Sequence, residues 1–155
     1  MEFHHPSQTV LITGRYDDQD NVEVCNWHMP ASANPRIYAV SLPKDSLTKE
    51  LIEKSKVFVV NFMPYRYFDE VRNCSLAGGK FEDKFKENNF RKGDCASIDC
   101  CYVREACAFL ECEVRNVVDS GDHMIFLGEV IKSKSLSDEK RLIQKGDGSF
   151  TTTIR

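Results

Sequence analysis

Between Asn21 and Thr48 the chain reads NVEVCNWHMPASANPRIYAVSLPKDSLT, and no other stretch constrains its fold as much. Val22, Val24 and Asn26 alternate with Glu23, Cys25 and Trp27. That is the period of a half-buried strand, here running into a loop at His28-Met29-Pro30. Arg36–Leu42 is apolar on both faces, which predicts a strand that is central or covered by a partner. Asp45 or Ser46 then caps a helix over Thr48–Lys54, with Leu47, Leu51 and Ile52 as its inward stripe. Lys44, Ser46 and Thr48 cluster at the start of that helix. Unpaired N–H groups and the positive end of the helix dipole make such a point suitable for an anion such as phosphate.

The remainder reads as further strands with few helices. Val10–Thr13 and Val57–Met63 are strands, and Arg15–Asp20 is a polar turn whose DDQD run faces solvent. Tyr65–Phe90 is helical and polar: Phe68, Val71 and Arg72 share a face, Gly78-Gly79 breaks the run, and a second short helix begins at Phe81. Phe90–Ser97 reads as loop. Ala108–Val117 and His123–Ser133 form a hairpin across Val118–Asp122, and the tail carries the β-favouring FTTTI. About six strands, with the helices gathered mid-chain, predict a mainly β single domain over residues 1–155: an antiparallel Greek-key barrel with helical insertions. No glycine motif of the dinucleotide or P-loop type follows any strand.

Composition excludes several classes. A net charge of −3 gives no basic field for polyphosphate, so nucleic acid is not an expected partner. The longest apolar runs are too short to span a bilayer, and MEFHHPSQTV has no signal pattern, so the expected compartment is the cytoplasm, with no membrane association. Seven cysteines are many for this length, but none forms a C-x-x-C pair. Adjacent Cys100 and Cys101 would point to opposite faces of an extended segment. Free thiols are expected, and no metal site.

An anion cradle a dozen residues beyond an aromatic, backbone-rich loop outlines one ligand with a phosphate tail and a flat polar head. Flavin mononucleotide (FMN) has that outline. The same residues carry a family likeness: N-V-x-x-x-x-W-x-x-P-x-S at Asn21–Ser32, I-x-A-V-S at Ile37–Ser41, and the Ser46/Thr48 helix opening. Phe58–Asn61 follows, then the Gly78–Phe85 segment, Glu111-Cys112, and G-D-H-x-x-x-x-G-E-V at Gly121–Val130. In order and spacing the chain resembles the flavin reductase-like proteins, whose fold is the FMN-binding split β-barrel.

The resemblance implies a homodimer with the flavin near the subunit interface. It places Asn26, Trp27, His28, Met29 and Pro30 along the isoalloxazine edge, and Ser32, Lys44, Ser46 and Thr48 on the ribityl chain and phosphate. Ser41 lies where some relatives place a cysteine beside the flavin. Lys84 is expected to reach the flavin or the partner subunit. His123 is the expected catalytic residue, contacting nicotinamide or donating a proton, against a strand-start histidine bonded to a backbone carbonyl. Trp27 is open between a flavin flank and core or interface packing, and Cys25 reads as an inert thiol. The implied activity is an FMN-dependent oxidoreductase that takes hydride from NADH or NADPH and passes electrons to flavin, a ferric chelate or a redox protein partner. The alternative is a non-enzymatic FMN electron carrier reduced by an iron–sulfur protein.

Overall fold

Two strands only two residues apart in sequence lie at opposite edges of the main sheet, and this closes the fold. The computed structural model describes residues 2–76 and 83–153. In chain order it opens with β1 (Ser7–Gln8), β2 (Val10–Tyr16), β3 (Gln19–Cys25), β4 (His28–Ala33) and β5 (Arg36–Pro43). Helix α1 (Leu47–Ser55), β6 (Val57–Phe62), α2 (Phe68–Leu76) and the single turn α3 (Lys84–Glu87) follow. Then come β7 (Lys92–Asp94), β8 (Cys101–Val103), β9 (Ala108–Ser120), β10 (His123–Ser135), β11 (Leu142–Gln144) and β12 (Phe150–Thr152).

The large sheet has the order β3-β2-β6-β9-β10-β5-β4, antiparallel at every step. Laid flat, six steps of about 4.8 Å would hold its edges roughly 29 Å apart. Only Asn26 and Trp27 separate β3 from β4, and three extended residue steps span about 11 Å. The sheet therefore curls until its edges meet at that link, giving the expected antiparallel barrel with helical insertions. Smaller sheets, β1-β11-β12 and β7-β8, pack outside it.

Strand alternation sorts the apolar residues into two layers. Val10, Ile12, Val40, Leu42, Phe58, Val60 and Phe126 form one buried cluster within the curl, joined by Ile52 of α1. Leu11, Val22 and Met63 sit on the opposite faces of the same segments and pack with Val71 and Cys74 of α2, Phe85 of α3, and Cys101 and Val103 of β8. Being covered on both sides is why β2 and β6 read as unbroken apolar runs. The adjacent Cys100 packs elsewhere from Cys101, in a third cluster with Val59, Ile98 and Phe109.

Several expectations need correction. The His28-Met29-Pro30 loop is strand β4. Pro30 is tolerated because, among the described residues, β4 pairs only with β5 and has a bulge between Pro30 and Ser32. Only Asp17 and Asp18 turn between β2 and β3, both at positive φ. Asp20 is not solvated: its carboxylate accepts from Arg15 at 2.6 Å and faces Lys92 at 3.1 Å, with 8% of the side chain exposed. The five-residue hairpin connection is a two-residue turn, Gly121-Asp122, with Gly121 at φ +64°. The expected loop at Phe90–Ser97 contains β7, and five strands of two or three residues escaped a reading by periodicity. On α2 the buried residues are Val71 and Cys74, while Arg72 stays outside, its guanidinium over the Phe68 and Phe150 rings. The predicted Gly78-Gly79 break and the helix start at Phe81 lie outside the described residues.

Gly128 shows how tightly β10 crosses the barrel. A Cβ built there would meet Phe58 Cζ at 2.5 Å and Cys112 Cβ at 2.9 Å. Both neighbours are buried core atoms. Gly128→Ala is expected to lower unfolding stability by about 1–3 kcal/mol through overpacking. Urea titration checks this, and an unchanged midpoint would show that the crossing is loose.

Candidate functional site

The Asn26-Trp27 link is fastened to the strands on each side. Ser41 N–H donates to the Trp27 carbonyl at 2.9 Å. The Cys25 thiol donates to the same carbonyl at 3.3 Å, and Thr9 Oγ1 donates to Asn26 Oδ1 at 2.7 Å. Burial pushes the Cys25 thiol up to about 12, which keeps it protonated and unreactive near neutral pH.

Three hollows line up along this link. The largest, about 520 Å³, is bounded by Glu23, Asn26, Asp45, Ser46, Cys74 and Lys84, among others. A second, about 250 Å³, shares Asn26 and adds Trp27, Ser41, Pro43 and His123. A third, about 240 Å³, shares Trp27 and Ser41 and adds His28, Met29, Ala39 and Ile125. Shared walls make them one cleft, with charged and hydroxyl groups at one end and aromatic and apolar groups at the other. The largest hollow alone falls within the size range of small-molecule sites.

At the polar end stands the start of α1. Ser46 is the N-cap, extended at φ −75°, and its hydroxyl oxygen accepts from Lys49 N–H at 3.1 Å. Of the two candidate caps, then, Ser46 serves. The same hydroxyl donates to Glu23 Oε2 at 2.5 Å. Lys84, 8% exposed, lies in the wall. Burial raises the Glu23 carboxyl above the usual range, opposed by the Ser46 hydrogen bond and by Lys84.

At the other end the Trp27 and His123 rings lie 4.6 Å apart, tilted by 40°. His123 Nδ1–H donates to Asp122 at 2.6 Å, so Nε2 is the nitrogen that a ligand would meet. That hydrogen bond holds the Asp122 carboxyl below its usual value. His28 is tied in on both sides: Nε2 lies 2.7 Å from the Gln8 carbonyl and Nδ1 lies 2.7 Å from Tyr38 Oη. A carbonyl only accepts, so Nε2 carries the proton and Nδ1 accepts from tyrosine. Burial lowers the His28 pKa. The ring is a neutral structural bridge that shows one face to the apolar hollow.

Of the residues expected at the site, the fold brings Asn26, Trp27, His28, Met29, Ser41, Ser46, Lys84 and His123 to the cleft. Four stand apart from these walls. Thr48 is fully buried, its hydroxyl accepting from Asn21 Nδ2 at 3.0 Å. Lys44 reaches the other way, to Asp119 at 2.9 Å. Pro30 and Ser32 lie farther along β4, beside Tyr38 and Ile37 of β5. Glu23 and Asp45, which line the polar hollow, and Asp122, which holds His123, stand outside the expected set. Glu23 had a signal: alternation puts it on the face of β3 that carries Asn21 and Cys25, pointed at the helix start.

The lining suits FMN in the order of its polarity, with hydroxyl, ammonium and helix N–H groups at one end and aromatic walls at the other. The Glu23 and Asp45 carboxylates are the groups that oppose a phosphate. All seven cysteines are free thiols, and among the described residues no group of three or more His, Cys, Asp or Glu side chains is arranged to hold a metal ion.

Tyr38→Phe leaves His28 Nδ1 without its donor in a partly buried site and is expected to cost about 1–3 kcal/mol, measured by chemical unfolding near neutral pH. The pH effect has a definite sign. An unfolded histidine takes up its proton near pH 6.5 and the folded His28 only below that, so the unfolded state binds more protons in between. The His28 contribution is complete above about pH 6.5 and is lost as pH falls through the folded value. His28→Gln should flatten that slope, and an unaltered slope would assign acid sensitivity elsewhere.

Comparison with known proteins places this cleft in context. The flavin reductase like domain model matches residues 3–151. An uncharacterized protein of Archaeoglobus fulgidus is 27% identical over 131 residues, covering 84% of this chain and 73% of the relative. A flavin reductase of Pseudomonas putida is 27% identical over 121 residues, covering 77% of this chain and 68% of the relative. An FMN-binding protein from Thermus thermophilus, solved with bound p-hydroxybenzaldehyde, superposes with a TM-score of 0.89 at 23% identity. That superposition covers 98% of this chain and 89% of the other.

Proposed function

The chain belongs to the flavin reductase like domain family, and from that premise we propose that it is an FMN-dependent oxidoreductase using NADH or NADPH as hydride donor. Free flavin, a ferric chelate or a redox protein partner would receive the electrons. One observation carries the reading: a single cleft runs from a capped helix start, past the barrel seam, to the Trp27–His123 pair. Family membership supplies the oxidoreductase class, and the cleft supplies a place of suitable size and polarity.

In this reading Ser46, Lys84 and the first N–H groups of α1 hold the phosphate. Asn26, Trp27, His28, Met29, Ser41 and His123 surround the ring. Bound FMN supplies a group that accepts hydride and releases electrons singly or in pairs. The chain's own residues orient it and exclude water: Trp27 covers the seam, and N–H donors near the ring favour negative charge that develops there. His123 is set to hold or give a proton at Nε2, its tautomer fixed by Asp122. We place the protein in the cytoplasm as a homodimer with the flavin near the interface. The third hollow is apolar, and Met29 in its wall, 59% exposed, lies on edge strand β4, a surface that a second copy would cover.

Anaerobic mixing of the FMN-loaded protein with NADH or NADPH tests the activity. Loss of the flavin's visible absorbance within seconds is expected. Bound flavin that neither nucleotide bleaches over minutes would refute the reductase reading in favour of an FMN electron carrier. His123→Ala is expected to slow bleaching by about a hundredfold, the lower end of general acid–base contributions, with FMN affinity little changed. An unaltered rate would leave His123 a structural residue of the hairpin.

A further inference from the structure

Ser46 carries one hydroxyl proton, and Glu23 holds it. The Ser46 oxygen accepts from Lys49 N–H at 3.1 Å while its hydrogen is directed to Glu23 Oε2 at 2.5 Å. A phosphate at the start of α1 would need that same hydrogen. It would also stand beside the carboxylate, which lines the same hollow with Asp45. A charged group taken out of water is costly unless paired, and like charges side by side disfavour ionisation of one of them.

We propose that Glu23 is a proton-gated specificity residue at the phosphate end of the cleft: a phosphate-bearing flavin enters together with a proton on Glu23, and the ionised carboxylate turns it away. The inference rests on the cofactor reading above and deepens it. Once protonated, Glu23 no longer opposes the phosphate by charge, its acid O–H becomes a donor, and the Ser46 hydroxyl is released to the ligand. Affinity for a phosphate-bearing flavin therefore falls as pH rises, while a flavin without phosphate is indifferent to the gate.

The surroundings of Glu23 set where the gate works. Asp45 from the turn before α1 opposes ionisation, while Lys84 of α3, His123 of β10 and the Ser46 hydroxyl favour it. Cys74 of α2 and Cys25 of the same strand face it as thiols that burial keeps protonated. Burial outweighs the favourable partners and moves the carboxyl above its ordinary value.

The experiment compares FMN and riboflavin, which lacks the phosphate, binding to the whole protein and to Glu23→Gln by flavin fluorescence. Glutamine preserves the shape and still accepts from Ser46, and a thermal melt of each protein checks that both are folded. In the wild type, FMN affinity relative to riboflavin should fall about tenfold over a pH series that runs upward from the ordinary glutamate value of 4.5. At about pH 8, Glu23→Gln should bind FMN about tenfold more tightly than the wild type and riboflavin no differently. The phosphate itself titrates near pH 6, so the difference between the two proteins at each pH is the readout. FMN affinity unchanged or weakened by Glu23→Gln at the higher pH, or an equal change for riboflavin, would overturn the gate and leave the cofactor reading intact. Neither flavin binding to either protein would remove the cofactor reading and the gate together.

Discussion

The constraint on which the rest depends is the two-residue link between the outermost strands of the main sheet. Because Asn26 and Trp27 alone connect β3 to β4, and those strands are the two edges, a flat arrangement is impossible and the sheet must close on itself. Closure at a link, rather than by a full hydrogen-bonded ladder, leaves a seam. The seam is stitched by the Ser41–Trp27 backbone bond, the Cys25 thiol and the Thr9–Asn26 pair, and the hollows of the cleft open along it. The cleft is a consequence of how the barrel closes. Its position would survive many changes of side chain.

Helix α1 docks on this seam through polar pairs as well as through Leu51 and Ile52. On the inward face of β3, Asn21 donates to Thr48, and two residues later Glu23 accepts from Ser46. Both contacts fall in the first turn of the helix. Burying two hydroxyls there requires partners, and β3 provides them. The hydroxyl deeper in the interior, Thr48, is thereby committed to structure. The one nearer the surface, Ser46, caps the helix and also lines the cleft, with its hydroxyl proton given to Glu23.

Much of this was legible in the sequence, and the misses have physical causes. Alternation marked β3 and continuous apolar runs marked β2, β5 and β6, while Pro30 disguised β4 as a loop; an edge strand can carry proline, but sequence alone does not reveal which strand is an edge. The two- and three-residue strands are ladders imposed by tertiary pairing, with too few residues to show a period. The cluster Lys44, Ser46, Thr48 pointed to the start of α1, where Ser46 alone of the three lines the cleft. It could not show which hydroxyl is turned inward. The acidic groups went unnoticed for a related reason. An anion site is expected to gather cations and hydroxyls, whereas Glu23 meets the site only because β3 is set beside α1, twenty-three residues later.

Lys44 illustrates how a residue can serve a site without entering it. Its ammonium pairs with Asp119 and its backbone N–H donates to the Asp122 carbonyl at 3.0 Å. These two contacts bracket the Gly121-Asp122 turn, which otherwise projects from the long β9–β10 hairpin with Asp122 and Asp119 largely exposed. The exposed ion pair by itself contributes little, but the backbone bond fixes the turn against the end of β5. The turn in turn fixes His123 against Trp27 at the seam. The lysine expected on the phosphate thus positions the aromatic end instead. Both ends of the cleft are set by the segment Pro43–Ser46, where β5 hands over to α1: Ser46 faces the polar hollow, Pro43 lines the aromatic one, and Lys44 between them holds the hairpin. A short connection that touches both ends makes their spacing a property of the backbone, which is what a rigid, elongated ligand requires of the cleft that receives it.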